Sequence, residues 1–357
     1  ASLRHHRALL LTTALLTAAL VAFHRHAGDP RLVAGLFAPY LLLFWACLSA
    51  LGLLLTLALH RRQLGRREPA LTARAAWSRA WRQVRQGHLT WPQLWNGVLA
   101  GGCIALLFNV FASWKRYFPA VRPFTWDPAL SQLDRWLHGG RLPQEYLAPW
   151  LASDALTWLM DRVYTSWYAV VGCMMVVWLW QHDSYERRRL LLGLVGVKFL
   201  LGVLLATVFA SAGPCFFHAV TGLPDPYAPH MAALSARAAE LSLQVPKTQE
   251  KMWAMYAQGT TPLYHGIAAM PSLHVAIPAL FTLATWRLHR PSAMALAAFT
   301  IVTLLATIYL GWHYAVDGYA SVVLVGAYWV LTRRVPSRAG ALARSDAPLG
   351  TCRMCEG

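Results

Sequence analysis

Charged residues are scarce in this chain. Only 13% of its 357 residues are Asp, Glu, Lys or Arg, while 57% are apolar, and soluble domains carry roughly 25% charged residues. This scarcity excludes a separate soluble domain of any size. Long apolar runs stand in its place, and those at 190–208 and 293–310 approach or reach the roughly 20 residues that cross a bilayer. The composition therefore predicts an all-α polytopic membrane protein.

The apolar runs divide into about eight predicted transmembrane helices. Their approximate bounds are 8–23, 33–59, 94–114, 154–180, 190–211, 268–287, 292–311 and 313–332. No A-x-A-type cleavage pattern follows the first run, where the sequence continues His24-Arg25-His26. A signal peptide would show such a pattern, so we expect the first run to be a membrane span.

Acidic residues are the rarer charged type, with 15 against 32 basic residues. The arginine-rich segments lie before the first span, at 60–92, at 187–189, at 287–290 and after 332. With eight spans these segments all fall on one side, which the positive-inside rule makes cytoplasmic. Topology thus explains the positive charge without a nucleic-acid partner, and both termini are predicted to be cytoplasmic. Within 60–92, Trp77, Trp81 and Val84 recur at helical spacing, which predicts an interfacial helix.

Two segments on the other side are too long to be plain connectors, and they are expected to cap a site. In the first, 115–152, a surface helix is predicted to begin at Asp127, with three leucines along one side: Leu130, Leu133 and Leu137. In the second, 213–265, helices are predicted at 231–243 and 247–256.

Two histidine motifs lie within the apolar sequence. Ser272 precedes His274 by two residues, and Asp317 follows His313 by four. On a helix the second pair shares one face, so the carboxylate can orient the ring and leave its other nitrogen as a nucleophile or base. Ser272 with Pro271 suits a helix start, which binds anions. Ionisable groups inside a span indicate function by default.

Other interpretations of these residues are a packed or pore-lining histidine, a proton relay, or a metal site in a transporter. Ser272 favours phosphate chemistry, because neither a relay nor a metal site requires it. No convincing internal repeat is found, although transporters commonly contain one. Cysteines are few, and Cys352 and Cys355 form a lone C-x-x-C pair, at best half a zinc site. We predict no metal and no cofactor.

Pro-Ser-Leu-His at 271–274 and Gly-Trp-His-Tyr-Ala-Val-Asp at 311–317 resemble the last two signature motifs of the type-2 phosphatidic acid phosphatase superfamily. Leucine in place of the family's glycine resembles the branch that contains inositol phosphorylceramide synthase. The resemblance implies a six-helix phosphatase-type core over 94–332, preceded by two N-terminal helices within 1–93 and followed by a cytoplasmic tail, 333–357.

The resemblance also implies a mechanism without metal. His313 attacks phosphorus and becomes a phosphohistidine, Asp317 orients it, and His274 protonates the leaving oxygen and then deprotonates the acceptor. Ser272 helps to hold the phosphoryl oxygens. The superfamily's first motif, Lys-x6-Arg-Pro, binds phosphate.

The first motif occurs here as Lys115, Arg122 and Pro123, but about two spans earlier than in the superfamily. The expected position, at Gly213-Pro214, has no basic residue. Lys115 and Arg122 are therefore candidate phosphate ligands only if the chain folds them back to the site. Further candidates are His218, Arg162 and His265.

We therefore expect a lipid phosphate phosphatase or a phospholipid head-group phosphotransferase, with its site on the extracytoplasmic face of a bacterial inner membrane. Its partners would be a lipid phosphate or phospholipid and the bilayer. The alternative is a transporter or channel with an intramembrane histidine proton relay. Neither the lipid, the acceptor nor the oligomeric state follows from the sequence.

Overall fold

The computed structural model describes residues 7–27, 72–88, 90–115, 121–181, 184–259 and 266–333, with isolated positions between 50 and 68. Over these residues the protein is all-helical, as predicted, and contains no strand. The predicted span at 33–59 lies almost entirely outside them, as do His265, Cys352 and Cys355.

The helices are numbered here in chain order. They are α1 (Arg7–Ala27), α2 (Ala73–His88), α3 (Trp91–Lys115), α4 (Asp127–Leu137), α5 (Pro143–Leu151), α6 (Asp154–Leu179), α7 (Tyr185–Val208), α8 (Phe217–Thr221), α9 (Ala228–Ala238), α10 (Val245–Ala257), α11 (Leu273–Thr285), α12 (Arg290–Tyr309) and α13 (Ala315–Leu331). Helix α7 contains a π-helical stretch, Val197–Leu205, and a short 3₁₀ turn, Pro214–Phe216, leads into α8. The predicted interfacial segment is helical as α2, with Trp77 and Trp81 exposed.

Helices α3, α6, α7 and α12 are long and apolar enough to cross a membrane. Helices α11 and α13 occupy the places of predicted spans, yet they have only 13 and 17 residues. They begin later than predicted because the chain before each one, 266–272 and 311–314, is folded without regular helix. Irregular backbone at membrane depth is tolerated where protein surrounds it, and Ser272 and Tyr314 are both fully buried.

Helix α11 lies at the centre of the bundle and packs against α6, α7, α12 and α13. Its apolar side chains Val275, Ile277, Leu280 and Phe281 are completely buried. A helix that is apolar on all sides is expected in such a position. The motif that starts α11 is therefore held by four neighbouring helices.

Helix α7 begins at Tyr185 rather than at 190, because its arginines belong to the helix and not to a loop. Arg187 donates hydrogen bonds to the carbonyl groups of Trp178 and Leu179, at 3.0 and 2.9 Å, where α6 ends. Arg189 donates to the carbonyl group of Trp329 near the end of α13. The two guanidinium groups satisfy carbonyl groups that helix ends leave unpaired.

The surface helix predicted from Asp127 is present as α4, but its buried side differs from the prediction. Asp127, Leu130 and Asp134 are buried, whereas Leu133 and Leu137 are 38% and 46% exposed. The two carboxylates point inward because they accept hydrogen bonds there from backbone N–H groups of Gly213, Ala315 and Val316. The helices predicted at 231–243 and 247–256 are confirmed as α9 and α10 with shifted ends, and α5 and α8 were not predicted.

Candidate active site

The structure brings the two histidine motifs together at one end of the bundle. The ring centroids of His274 and His313 lie 5.9 Å apart. His274 is the second residue of α11, and His313 lies in the turn between α12 and α13. The backbone N–H of Ser272 donates to the carbonyl oxygen of Asp317 at 3.3 Å. One motif is thus directly bonded to the other.

His313 and Asp317 form a buried pair. Nδ1 of His313 lies 3.2 Å from Oδ2 of Asp317, and the backbone N–H of Tyr314 donates to the same oxygen at 3.0 Å. An ionised carboxylate only accepts hydrogen bonds, so it favours the tautomer with the hydrogen on Nδ1. The lone pair of His313 is then on Nε2, as a nucleophile requires.

His274 lies against aromatic rings. It stacks on Tyr164 with centroids 4.8 Å apart, and Trp167 lies at the same distance in a tilted arrangement. The indole N–H of Trp167 donates to the carbonyl oxygen of His274 at 2.9 Å. Both aromatic residues come from α6, so this helix fixes the ring that faces His313.

Two buried donors beside the histidines have no hydrogen-bond partner among the described residues. They are Oγ of Ser272 and Nε1 of Trp312. Buried polar groups are nearly always paired, so each exception calls for an explanation. Trp312 was missed by sequence reasoning, although its place immediately before His313 was a signal that could have found it.

Helix α4 packs on the outside of the site and bonds to two parts of it, the start of α13 and the turn at Gly213 that follows α7. Asp134 accepts hydrogen bonds from the backbone N–H groups of Ala315 and Val316, at 2.8 and 2.9 Å, and so caps the start of α13. Asp127 accepts from the N–H of Gly213 at 2.8 Å and from the hydroxyl of Tyr314 at 2.8 Å. Burial raises the pKa of both carboxyls, and the backbone N–H donors oppose that rise.

Sequence reasoning placed Asp127 at the start of this helix and treated Asp134 only as a loop charge, so it predicted the inward direction of neither carboxylate. They are seven residues apart, which is about two helical turns and places them on one face. This spacing was a signal that could have indicated their shared inward direction.

The chain that carries the Lys-x6-Arg-Pro motif folds back to the end of α7. The backbone N–H groups of Thr125 and Trp126 donate to the carbonyl oxygen of Ala210, at 3.0 and 3.1 Å. Lys115 ends α3 and lies against Gly266, where an added Cβ would be 2.7 Å from the carbonyl oxygen of Lys115. Arg122 is exposed and makes no ion pair with any described residue. The described residues on both sides of this motif thus reach the region where the superfamily's motif is expected.

The further candidates are engaged elsewhere. Nδ1 of His218 lies 2.8 Å from the carbonyl oxygen of Leu223, and Arg162 donates to the carbonyl oxygen of Ser242 at 2.6 Å. Across the described ranges, no three His, Cys, Asp or Glu side chains are grouped as metal ligands would be.

Comparison with known proteins gives one match. A family model described as the PAP2 superfamily matches residues 128–331, more than half of the chain. The match contains both histidine motifs and begins within α4, later than the core start expected at residue 94. No curated protein matches the chain, and no solved structure matches it.

Proposed function

The chain belongs to the PAP2 superfamily, and on this premise we propose that it is a membrane enzyme that cleaves or transfers a phosphate-linked group on a lipid through a phosphohistidine. Superfamily membership supports a phosphatase-type lipid enzyme. The observation that carries the proposed mechanism is the buried His313–Asp317 pair facing His274 across 5.9 Å. Membership also weighs against the transporter alternative.

In the first step, the lone pair on Nε2 of His313 attacks phosphorus, and the bond from phosphorus to the leaving oxygen breaks. His274 gives its proton to that oxygen, so the first product leaves as an alcohol or as a phosphate ester. Asp317 stabilises the positive charge that develops on the ring of His313. Phosphoryl transfer depends mainly on such positioning and charge stabilisation.

In the second step, His274 removes a proton from water or from an alcohol, and the acceptor oxygen attacks the phosphohistidine. The P–N bond breaks and restores neutral His313. Water as acceptor gives a phosphatase, and a lipid alcohol gives a head-group phosphotransferase. Because His274 must begin protonated and His313 neutral, we expect a bell-shaped dependence of rate on pH.

The phosphoryl oxygens need donors in both steps. We assign this role to Oγ of Ser272 and Nε1 of Trp312, since both are buried and lack partners among the described residues. The start of α11 adds its helix dipole. Lys115 and Arg122 would supply positive charge from the displaced motif.

The proposed orientation in the membrane rests on the distribution of arginines. Arg187, Arg189 and Arg290 lie at the end of the bundle opposite to the site, and the positive-inside rule makes their side cytoplasmic. The site would then face the extracytoplasmic side, and a bacterial inner membrane is the proposed location. A lipid substrate would bring its head group to this end of the bundle.

The test is incubation of purified protein with phosphatidic acid, undecaprenyl diphosphate, and labelled phospholipids with ceramide or diacylglycerol. Mass spectrometry distinguishes free phosphate from a new lipid. His313→Ala should remove turnover and any acid-labile phosphorylation of the protein. His289→Ser is the matched control, because serine can replace His289 as the N-cap of α12 at the opposite end. Undiminished turnover in His313→Ala would rule out the mechanism.

A further inference from the structure

Lys198 is a buried cation that the mechanism above does not use. It lies within the spanning helix α7 with only 7% of its surface exposed, and it forms no ion pair with any described carboxylate. A charge in this position is costly, and such residues are functional by default. Its surroundings therefore indicate what it serves.

The ammonium group of Lys198 lies beneath the start of α11. Its Nζ is 4.2 Å from the ring centroid of Phe108 and 4.4 Å from that of Phe111, and aromatic faces hold a cation only weakly. About one turn further along α7, a Cβ added to Gly202 would lie 2.7 Å from Phe111 and 2.8 Å from Leu273. Leu273 stands between Ser272 and His274, so the same packed group joins Lys198 to the site.

The backbone around Lys198 is unusual as well. Residues Val197–Leu205 form a π-helical stretch, a feature that occurs frequently at functional sites. Gly202 within this stretch lets α7 approach the start of α11 closely. The helix thus departs from regular geometry where it passes below the two histidines.

Lys198 approaches the start of α11 through Phe111, and Lys115 approaches it through Gly266, where an added Cβ would lie 2.7 Å from the carbonyl oxygen of Lys115. Two ammonium groups and an imidazole that must carry a proton repel one another strongly where the dielectric constant is low. A bound anion would offset that repulsion. The phosphoryl group of the proposed reaction is such an anion.

We propose that Lys198 is a phosphate-binding residue, whose ammonium group leaves the rings of Phe108 and Phe111 and contacts the phosphoryl group bound at His313. A lysine stem has enough rotatable bonds for this movement. Lys198 would supply, from within α7, the positive charge that Gly213-Pro214 lacks in the turn that follows that helix. The inference rests on the proposed function, because it requires a phosphoryl ligand.

Binding of orthovanadate to the purified full-length protein tests the inference, with thermal unfolding as the readout. In Lys198→Met the vanadate affinity should fall about tenfold or more, since one contact to a charged ligand is lost. The melting temperature without vanadate should stay equal or rise, because a buried unpaired charge is removed. Lys198→Arg should retain most of the affinity. Lys251→Met, which removes an exposed lysine of α10, is the matched control and should change neither quantity.

Unchanged vanadate affinity in Lys198→Met overturns the inference, whatever happens to turnover. A lower melting temperature combined with full affinity would instead assign Lys198 to packing against the two phenylalanines. If Lys198→Met does not fold, Lys198→Gln is held to the same expectation. Absence of vanadate binding and of lipid turnover in the wild type would contradict the proposed function itself, which is a different outcome.

Discussion

At the scale of single residues, the side chains of Asp317 and Trp167 are fixed by hydrogen bonds to backbone groups before any substrate arrives. Oδ2 of Asp317 already accepts the N–H of Tyr314 as well as the ring of His313. Trp167 bonds to the carbonyl oxygen of His274. Such preorganisation reduces the reorganisation that a transition state would otherwise require.

Trp312 provides a test of preorganisation. We expect Trp312→Phe to lower kcat on the order of 10²-fold, because the variant loses one donor to the phosphoryl oxygens. Its ring can still stack on Tyr164 and contact Phe216, so the melting temperature should change little. Steady-state kinetics on phosphatidic acid, or on whichever substrate the protein turns over, measures the effect.

Trp253→Phe is the control, since Trp253 stacks on Phe216 one ring contact further from His313. A kcat equal to that of the wild type in Trp312→Phe would show that the indole N–H does not contact the reacting group.

The sequence predicts His274, His313, Asp317 and Ser272 as site residues because each pair is close in the chain. That spacing alone indicates that Asp317 can orient His313 and that Ser272 lies at a helix start beside His274. Trp312 and Lys198 were not singled out, and the inward direction of Asp134 was missed. The position of Trp312 and the spacing of Asp134 from Asp127 were usable signals, but the contacts that these residues and Lys198 make join segments far apart in the chain, which periodicity does not reveal. The clearest case is Asp134, whose partners Ala315 and Val316 follow it by 181 and 182 residues in the sequence.

At the scale of helices, buried aspartates join the surface helices α4 and α10 to the membrane-spanning helices. Asp161 of α6 accepts hydrogen bonds from the backbone N–H groups of Gln244 and Val245, at 2.9 and 2.8 Å, where α10 begins. Asp134 of α4 does the same for α13. In both cases a carboxylate from one helix satisfies the unpaired N–H groups at the start of another.

Removal of the Asp161 carboxylate should release α10. We expect Asp161→Ala to lower the free energy of unfolding by about 1–2 kcal/mol, the usual effect of losing an N-cap. Local opening should be more evident, with trypsin cleaving after Lys247 and Lys251 several times faster than in the wild type. Limited proteolysis followed by mass spectrometry measures this.

Glu240→Ala removes an exposed carboxylate in the same cap region and should leave the cleavage rate unchanged. Equal protection of α10 in Asp161→Ala and in the wild type would mean that packing alone holds this helix.

Among the described residues, the positions of the long helices were predicted well, because apolar runs of about bilayer length mark them in the sequence. The ends were less predictable. Helix α7 extends through Arg187 and Arg189, since their guanidinium groups bond to the carboxyl ends of other helices. Helices α11 and α13 begin later than predicted, at Leu273 and Ala315, because the residues before them form the non-helical backbone of the site. In both situations a tertiary contact overrides the local pattern.

At the scale of the whole molecule, the buried arginines and the candidate active site lie at opposite ends of the helical bundle. Buried arginines bond to the carboxyl ends of helices at one end of the bundle. The two histidines, the aspartates of α4 and the surface helices α9 and α10 lie at the other end. The asymmetry is the one expected of a protein that works on the outer face of its membrane.

A green fluorescent protein fused after residue 333 should therefore be fluorescent in a bacterial host, because this reporter folds in the cytoplasm. Alkaline phosphatase fused at the same position should be inactive, since it needs an oxidising compartment. The reverse pair of results would place the C-terminus, and with it the arginine-rich end, outside. A phosphatase fusion after Gln258, near the end of α10, is the complementary control and should be active.

One consequence follows from α4. Asp127 and Asp134 of this single surface helix hold, respectively, the turn after α7 and the first residues of α13. The distance between the turn that carries His313 and the turn after α7 is thus set by a part of the molecule that lies outside the spanning bundle. If the proposed function holds, sequence changes in α4 and its flanking segments would change the space between these two turns, and with it the head group that fits there, while the helices that cross the bilayer stay as they are.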